Sequence, residues 1–479
     1  MAAPTPLSGY TPYKNLPPLA GLCSIDEATR PGLSVEECVR RLKRFHYCLK
    51  RLHQILTARV TAEPIYELKT GFAHHAHLCA EHVTALRTRI SEMREPPLGL
   101  EDVPHPALEV YFDEILNAPD TGTLLAGVYS HAVGALHGDI EKYLLETNPL
   151  TDAPSRRVLK FARLELHEMD QFGTNCGAAL GVPPNAREWF TTVLDHLLLA
   201  SEVTSGAPLA PARDGAAMPR MYAARAYVYD PIPQRDERFT DPWNQGVNAE
   251  SFLYNEAFPA RAKALMMLYK RLREIDVPEM MARIITETPG KPWGYYRDMS
   301  RQLWDEARHA MMGEVGFVAL GVDWTRAKIT LNWSHRLNTE CTPMEAHGVL
   351  YFIEQGLMPR TGKRYEFETG QASGLPLIAT VQDFDWADEV LHAKIGRDWY
   401  VPQFGSLKEA LDYGDAAWSK ILSNWAAVKE QGLTNHENWW PAVYHMACAA
   451  EGATPDPTVL AFDETYEGKR ADLQRIAAE

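Results

Sequence analysis

Two segments of ten residues, 83 positions apart, share one pattern. Trp304-Asp305-Glu306-Ala307-Arg308-His309-Ala310-Met311-Met312-Gly313 and Ala387-Asp388-Glu389-Val390-Leu391-His392-Ala393-Lys394-Ile395-Gly396 both read x-D-E-x-x-H-A-x-x-G. A glutamate and a histidine three apart share one helix face, so each copy offers a carboxylate and an imidazole to the same region of space. Two such helices facing one another supply half a shell to each of two metal ions, and two more carboxylates close the site. A single E-x-x-H carries little weight in a chain with 17 histidines. Five identities at identical offsets carry much more, and the small residues at i+4 and i+7 fall on the ligand face, where helices must approach closely.

The missing carboxylates belong upstream, on helices antiparallel to the E-x-x-H helices, which puts each connecting loop midway between its two ligands. Between Glu274 and Glu306 the midpoint is residue 290, inside Pro289-Gly290-Lys291-Pro292; between Glu354 and Glu389 it falls inside Gly370-Gln371-Ala372-Ser373-Gly374. The separations of 32 and 35 residues fit two arms of about 15 residues each, or about 22 Å of helix. Pro278 follows Glu274 and Pro359 follows Glu354 at similar offsets. The string Asp276-Val277-Pro278-Glu279 can also start a new helix, leaving Glu274 near a helix end, or Glu274 can be a surface charge among Lys270, Arg271 and Arg273. Glu354 has apolar helical neighbours, where a lone carboxylate is costly unless paired or metal-bound. Glu256 and Glu345 are the fallback carboxylates, although Glu345 completes a Thr342-Pro343-Met344-Glu345 capping box. Asp305 and Asp388 are natural acceptors for the outer N–H of a ligand histidine. Trp304 and Trp386 are expected either to wall the site or to be ordinary core aromatics.

The elements that must hold these residues are helical throughout. A Pro- and Gly-rich arm covers 1–33, an N-terminal helical domain 34–201, a connector 202–247, the ligand-bearing bundle 248–404, and C-terminal helices with a charged tail 405–479. Helices are expected near 34–56, 65–93, 107–117, 121–146, 153–172, 186–201, 406–430 and 437–451. The first half can be read as a degenerate second bundle. Glu67, His74, His77 and Glu81, with Glu165 and Glu168, would hold a second metal, or merely pair with one another or face solvent. The connector's length suits an active-site cover or a dimer contact.

Composition narrows the functional classes. The net charge of −15 and the absence of a basic stripe argue against nucleic acid as a partner. No stretch is long and apolar enough for a bilayer and no leader opens the chain, so a cytoplasmic protein with no membrane partner is expected. Seven scattered cysteines without a C-x-x-C pair suit reduced thiols.

At its doubled D-E-x-x-H motif the chain resembles the ferritin-like superfamily of di-metal carboxylate proteins, over roughly residues 250–400. The resemblance implies an all-α ferritin-like four-helix bundle. It implies Glu274, Glu306, His309, Glu354, Glu389 and His392 as ligands of an Fe/Fe or Mn/Fe pair, with O2 as co-substrate. Such a set suits iron or manganese, whereas structural zinc favours cysteine. The expected activity is an oxygen-dependent oxidase or oxygenase acting on a small organic substrate, with a separate electron-donor protein; a non-catalytic scaffold, metal-free or with a structural metal centre, is the alternative. No catalytic residue is assigned beyond the ligands.

Overall fold

In the computed structural model, residues 10–94, 99–202, 218–422 and 425–466 are described. Every regular element among them is a helix apart from one isolated bridge, Val247 to Thr465, so the fold is all-α as the periodicity predicts. The chain divides into two compact units, Met1–Ile55 with Leu78–Val228, and Leu56–His77 with Tyr229–Glu479. Residues 56–77, the described end of the connector from 229 onward, and the C-terminal helices therefore share a unit with the ligand-bearing segment. The helices Val35–Arg59 and Tyr66–Ser91 each contribute to both units.

In the first unit, Pro106–Leu116, Thr121–Glu146 and Ala153–Leu180 match the expected helices closely. The described part of the arm is mostly exposed turns, with one short helix, Ile25–Ala28, closed by a Ser24–Glu27 capping box. Glu114 is fully buried, and its carboxylate accepts hydrogen bonds from the Trp189 indole and from the backbone N–H groups of Met221, Tyr222 and Ala223. The connector thus has a fixed anchor in its described part.

In the second unit we number the six helices that carry the site: α1 Ala260–Arg273, α2 Asp276–Thr286, α3 Trp293–Ala319, α4 Pro343–Gly356, α5 Lys363–Ala372 and α6 Pro376–Trp399. Helix α3 packs on α1, α2 and α6, while α6 packs on α3, α4 and α5. The loops fall where the midpoint argument puts them, with Gly290 at φ 79° and Gly374 at φ 72° turning the chain. The uninterrupted arms do not form. The first breaks between α1 and α2 just past Glu274, and the second breaks between α4 and α5 just past Glu354. Pro278 and Pro359 lie beside these breaks; Pro278 falls in the first turn of α2, where its missing N–H costs nothing.

Small residues set the helix spacing. A Cβ on Gly313 would lie 2.4 Å from the Leu272 backbone nitrogen, and one on Gly396 would lie 2.2 Å from the Tyr351 ring. Both glycines of the repeated motif therefore admit a neighbour one turn past the histidines. In the same unit Met266, Met267, Leu268, Tyr269, Phe252, Trp440 and Phe462 form a buried core, and Tyr351, Tyr400 and Ala410 form a second, smaller one.

Candidate metal centre

Helices α3 and α6 each turn their glutamate and histidine inward, as the three-residue spacing requires. The structure brings all six expected residues together. His309 Nδ1 lies 3.3 Å from Glu274 and 3.6 Å from Glu306, while His392 Nδ1 lies 3.1 Å from Glu306, 3.6 Å from Glu389 and 3.9 Å from Glu354. Three overlapping trios have ligand atoms close enough for one ion each: Glu274, Glu306 and His309; Glu306, Glu354 and His392; His309, Asp385 and Glu389.

Each histidine is held from behind by the other copy of the motif. His309 Nε2 lies 3.2 Å from Asp388, and His392 Nε2 lies 3.4 Å from Asp305. Those carboxylates are gripped in turn from the surface side, Asp305 by Arg301 at 2.8 Å and Arg308 at 2.6 Å, and Asp388 by Arg308 at 2.6 Å. This fixes both imidazole planes and aims each Nδ1 inward.

The inward atoms lack hydrogen-bond partners. His309 Nδ1, His392 Nδ1 and one oxygen each of Glu274, Glu354 and Glu389 are buried and make no hydrogen bond. Buried polar atoms are normally satisfied, so five such ligand atoms gathered in one cluster, beside the Arg271 guanidinium, likewise without a hydrogen bond, fit a place that can take a further cation. Helix polarity adds to this. Glu274 caps the C-terminal end of α1 and Glu354 lies in the last turn of α4, where the helix dipole disfavours a carboxylate by about 0.3–1 kcal/mol.

Two features were not legible beforehand. Asp385, fully buried one turn before Glu389, joins the cluster 3.5 Å from His309; its counterpart in the first copy is Gln302, which donates to Glu354 at 3.1 Å. The i, i+4 spacing from Asp385 to Glu389 was the available signal. The second feature is a pair of buried cations. Arg271 pairs with Glu274 at 2.9 Å and with Asp385, while Lys363 lies 2.8 Å from Glu389 and 3.0 Å from Asp385. Lys270, also buried, pairs with Glu366. The reading of Glu274 as a surface charge is thereby corrected: its basic neighbours Lys270 and Arg271 are interior groups.

The local charges do not cancel. Glu274, Glu306, Glu354, Glu366, Asp385 and Glu389 face only Lys270, Arg271 and Lys363, which leaves three negative charges in excess in the buried cluster. Burial would push His309 down, but the bond to Asp388 and the carboxylates of Glu274 and Glu306 hold it up at about 10. His392 is likewise held well above its ordinary value against burial by Asp305, Glu306 and Glu389. Burial and the charges of Glu389 and Glu306 push Glu354 well up. Glu274 instead stays down at about 2, because Arg271 and Lys363 outweigh its burial.

A cavity of about 390 Å³ adjoins the cluster. Glu306, Glu354 and Glu389 face it from one side, and Val277, Met280, Leu337, Val349, Leu350 and Ile353 supply apolar wall.

Several other expectations find different places. Trp304 stacks on His74 at 4.4 Å and Trp386 lies beside Phe367, so neither walls the cavity and both are ordinary packing aromatics. Glu345 caps α4 and Glu256 is exposed. No metal-competent trio forms among the described residues of the first half: Glu67 pairs with Arg238 and Glu165 with His82. Both glutamates are thus paired, but with residues outside the expected set. No helix among the described residues is long and apolar enough to cross a membrane. Compared with protein-family models, with curated proteins and with solved structures, the chain has no match in any of the three.

Proposed function

We propose that this chain is a di-metal carboxylate oxidase or oxygenase of the ferritin-like kind. Glu274, Glu306, His309, Glu354, Glu389 and His392 would hold two iron ions, or one iron and one manganese, with Asp385 beside them. The observation that carries this reading is the set of five ligand atoms left without hydrogen bonds in one buried carboxylate–histidine cluster. Bound there, the metals supply O2 activation and redox equivalents.

The chain's own residues do the rest. Asp388 and Asp305 orient the imidazoles, the apolar walls exclude bulk water, and the cavity receives a small, largely apolar organic substrate beside Glu306, Glu354 and Glu389. A separate electron-donor protein supplies reducing power, since the sequence has no G-x-G-x-x-G after a strand pattern and no C-x-x-C set. We assign the protein to a reducing cytosol, supported by seven free cysteines.

A metal-free scaffold is the second reading, favoured by the ion pairs that Arg271 and Lys363 already make with candidate ligands. Metal analysis of the purified protein and anaerobic reconstitution with Fe(II) followed by O2 addition decide between them. The di-metal reading expects bound metal, O2 uptake and a transient optical signal. It also expects Glu354→Ala to keep the helical circular dichroism spectrum while losing O2 uptake. No metal uptake by the wild-type protein establishes the scaffold.

A further inference from the structure

The two halves of the centre are not chemically alike. On one side, Glu306, Glu354 and His392 approach one another with no lysine or arginine within 4 Å of either glutamate among the described residues; the groups touching them are His309, His392, the Glu389 carboxyl and the neutral amide of Gln302. On the other side, every carboxylate near His309 except Glu306 is already paired. Glu274 touches Arg271 at 2.9 Å and Lys363 at 3.7 Å, Asp385 touches both cations, and Glu389 touches Lys363 at 2.8 Å. Both cations are almost wholly buried, so neither can swing into water when an ion arrives. The difference tracks the position one turn before each ligand glutamate, just outside the repeated pattern, which is Gln302 in the first copy and Asp385 in the second.

A metal entering beside His309 must take carboxylate oxygens from Arg271 and Lys363 and then sit against two positive charges that cannot leave, whereas a metal entering between Glu306, Glu354 and His392 displaces only protons and meets no lysine or arginine within 4 Å of either glutamate. We infer that the two metal positions are unequal and fill in order: the Glu306–Glu354–His392 position takes a divalent cation first and tightly, and the Glu274–His309 position takes one later and weakly, with Lys363 and Arg271 as its competitors. Lys363 is thus a specificity-determining residue that sets the occupancy of the second position. This rests on the di-metal reading and refines it.

The test is an anaerobic titration of the full-length, chelator-stripped protein with Co(II), followed by calorimetry and by visible absorption. Wild type is expected to take one equivalent tightly and a second weaker by about tenfold or more. His392→Ala should abolish the tight equivalent, and His309→Ala should keep it. Lys363→Met should strengthen the second equivalent to within about threefold of the first. Anomalous diffraction from wild-type crystals at one equivalent of Mn(II) gives a readout that needs no variant to fold, with the ion expected between Glu306, Glu354 and His392. Two equivalents of equal strength in wild type, an unchanged second equivalent in a folded Lys363→Met, or manganese beside Glu274 would overturn the inference and leave a di-metal centre standing. No binding of either ion overturns the di-metal reading itself.

Discussion

His309 Nε2 lies 3.2 Å from the Asp388 carboxylate, so the histidine of the first motif is braced by the second, and His392 is braced in return by Asp305. Neither copy completes its own half of the centre. Replacing Asp388 by Ala should therefore weaken metal binding by about 10- to 100-fold while the helical content stays unchanged, because an outer carboxylate fixes the plane and basicity of its imidazole. Equilibrium dialysis with Mn(II) checks this; an affinity equal to wild type would show that the brace has no bearing on the metal.

Metal loading should release protons. His309 is held at about 10, and His392 and Glu354 are held above their ordinary values, in the metal-free protein. A divalent ion taking these groups as ligands displaces their protons, so loading near pH 7 should release at least the proton of His309, and affinity should rise with pH below about 10. Calorimetry in buffers of different ionisation enthalpy counts the protons. A count near zero would contradict this assignment of charge.

Gly313→Ala should destabilise the second unit by about 3 kcal/mol, because the new methyl would meet the backbone of α1 at Leu272 and Leu268, which cannot rotate away. It should also lower metal content, since α1 delivers Glu274. Gly138→Ala is the control: it sits exposed inside the helix Gly134–Glu146 with nothing near its added methyl, and should stabilise by about 0.5–1 kcal/mol. Thermal melts of both variants decide, and equal shifts would rule out a close helix approach at Gly313.

Burial pushes His347 down to about 4, with the charge of Lys291 adding to the effect. The fold holds its neutral form, so its contribution is full above the ordinary value of 6.5 and is lost as pH falls from 6.5 towards 4, where the unfolded chain binds a proton that the folded chain does not. The cost approaches about 3 kcal/mol at pH 4. His347→Phe removes that proton and should shrink the drop in melting midpoint between pH 6.5 and 4. An identical drop in wild type and variant would place the acid sensitivity elsewhere.

How much of this was readable in the sequence depended on whether a residue's partner was local or distant. The doubled motif, its glycines and the two loop midpoints are patterns within one helix or between adjacent helices, and periodicity exposes them. The all-α class follows from the same signal. Lys363 and Arg271 were illegible, because a lysine beside Arg364 and an arginine between Lys270 and Arg273 look like solvated charge; only the packing of α1, α5 and α6 reveals that they point inward. The sequence left Trp304 with two readings, since the partner that settles its place, His74, is 230 positions away. Asp385 was visible but lay outside the repeated pattern, whose other copy has glutamine there.

The interrupted helices give the centre two mechanical characters. Glu306, His309, Glu389 and His392 ride on the long, unbroken α3 and α6, where each backbone carbonyl is committed to the next turn. Glu274 and Glu354 sit at the C-terminal ends of α1 and α4, where each helix stops and the chain turns into the next. Two carboxylates and both imidazoles are thus set by unbroken helices, and the other two carboxylates by where a helix ends. If the proposed metals bind, a change in ion size would be taken up first at the ends of α1 and α4, while the imidazoles keep their spacing.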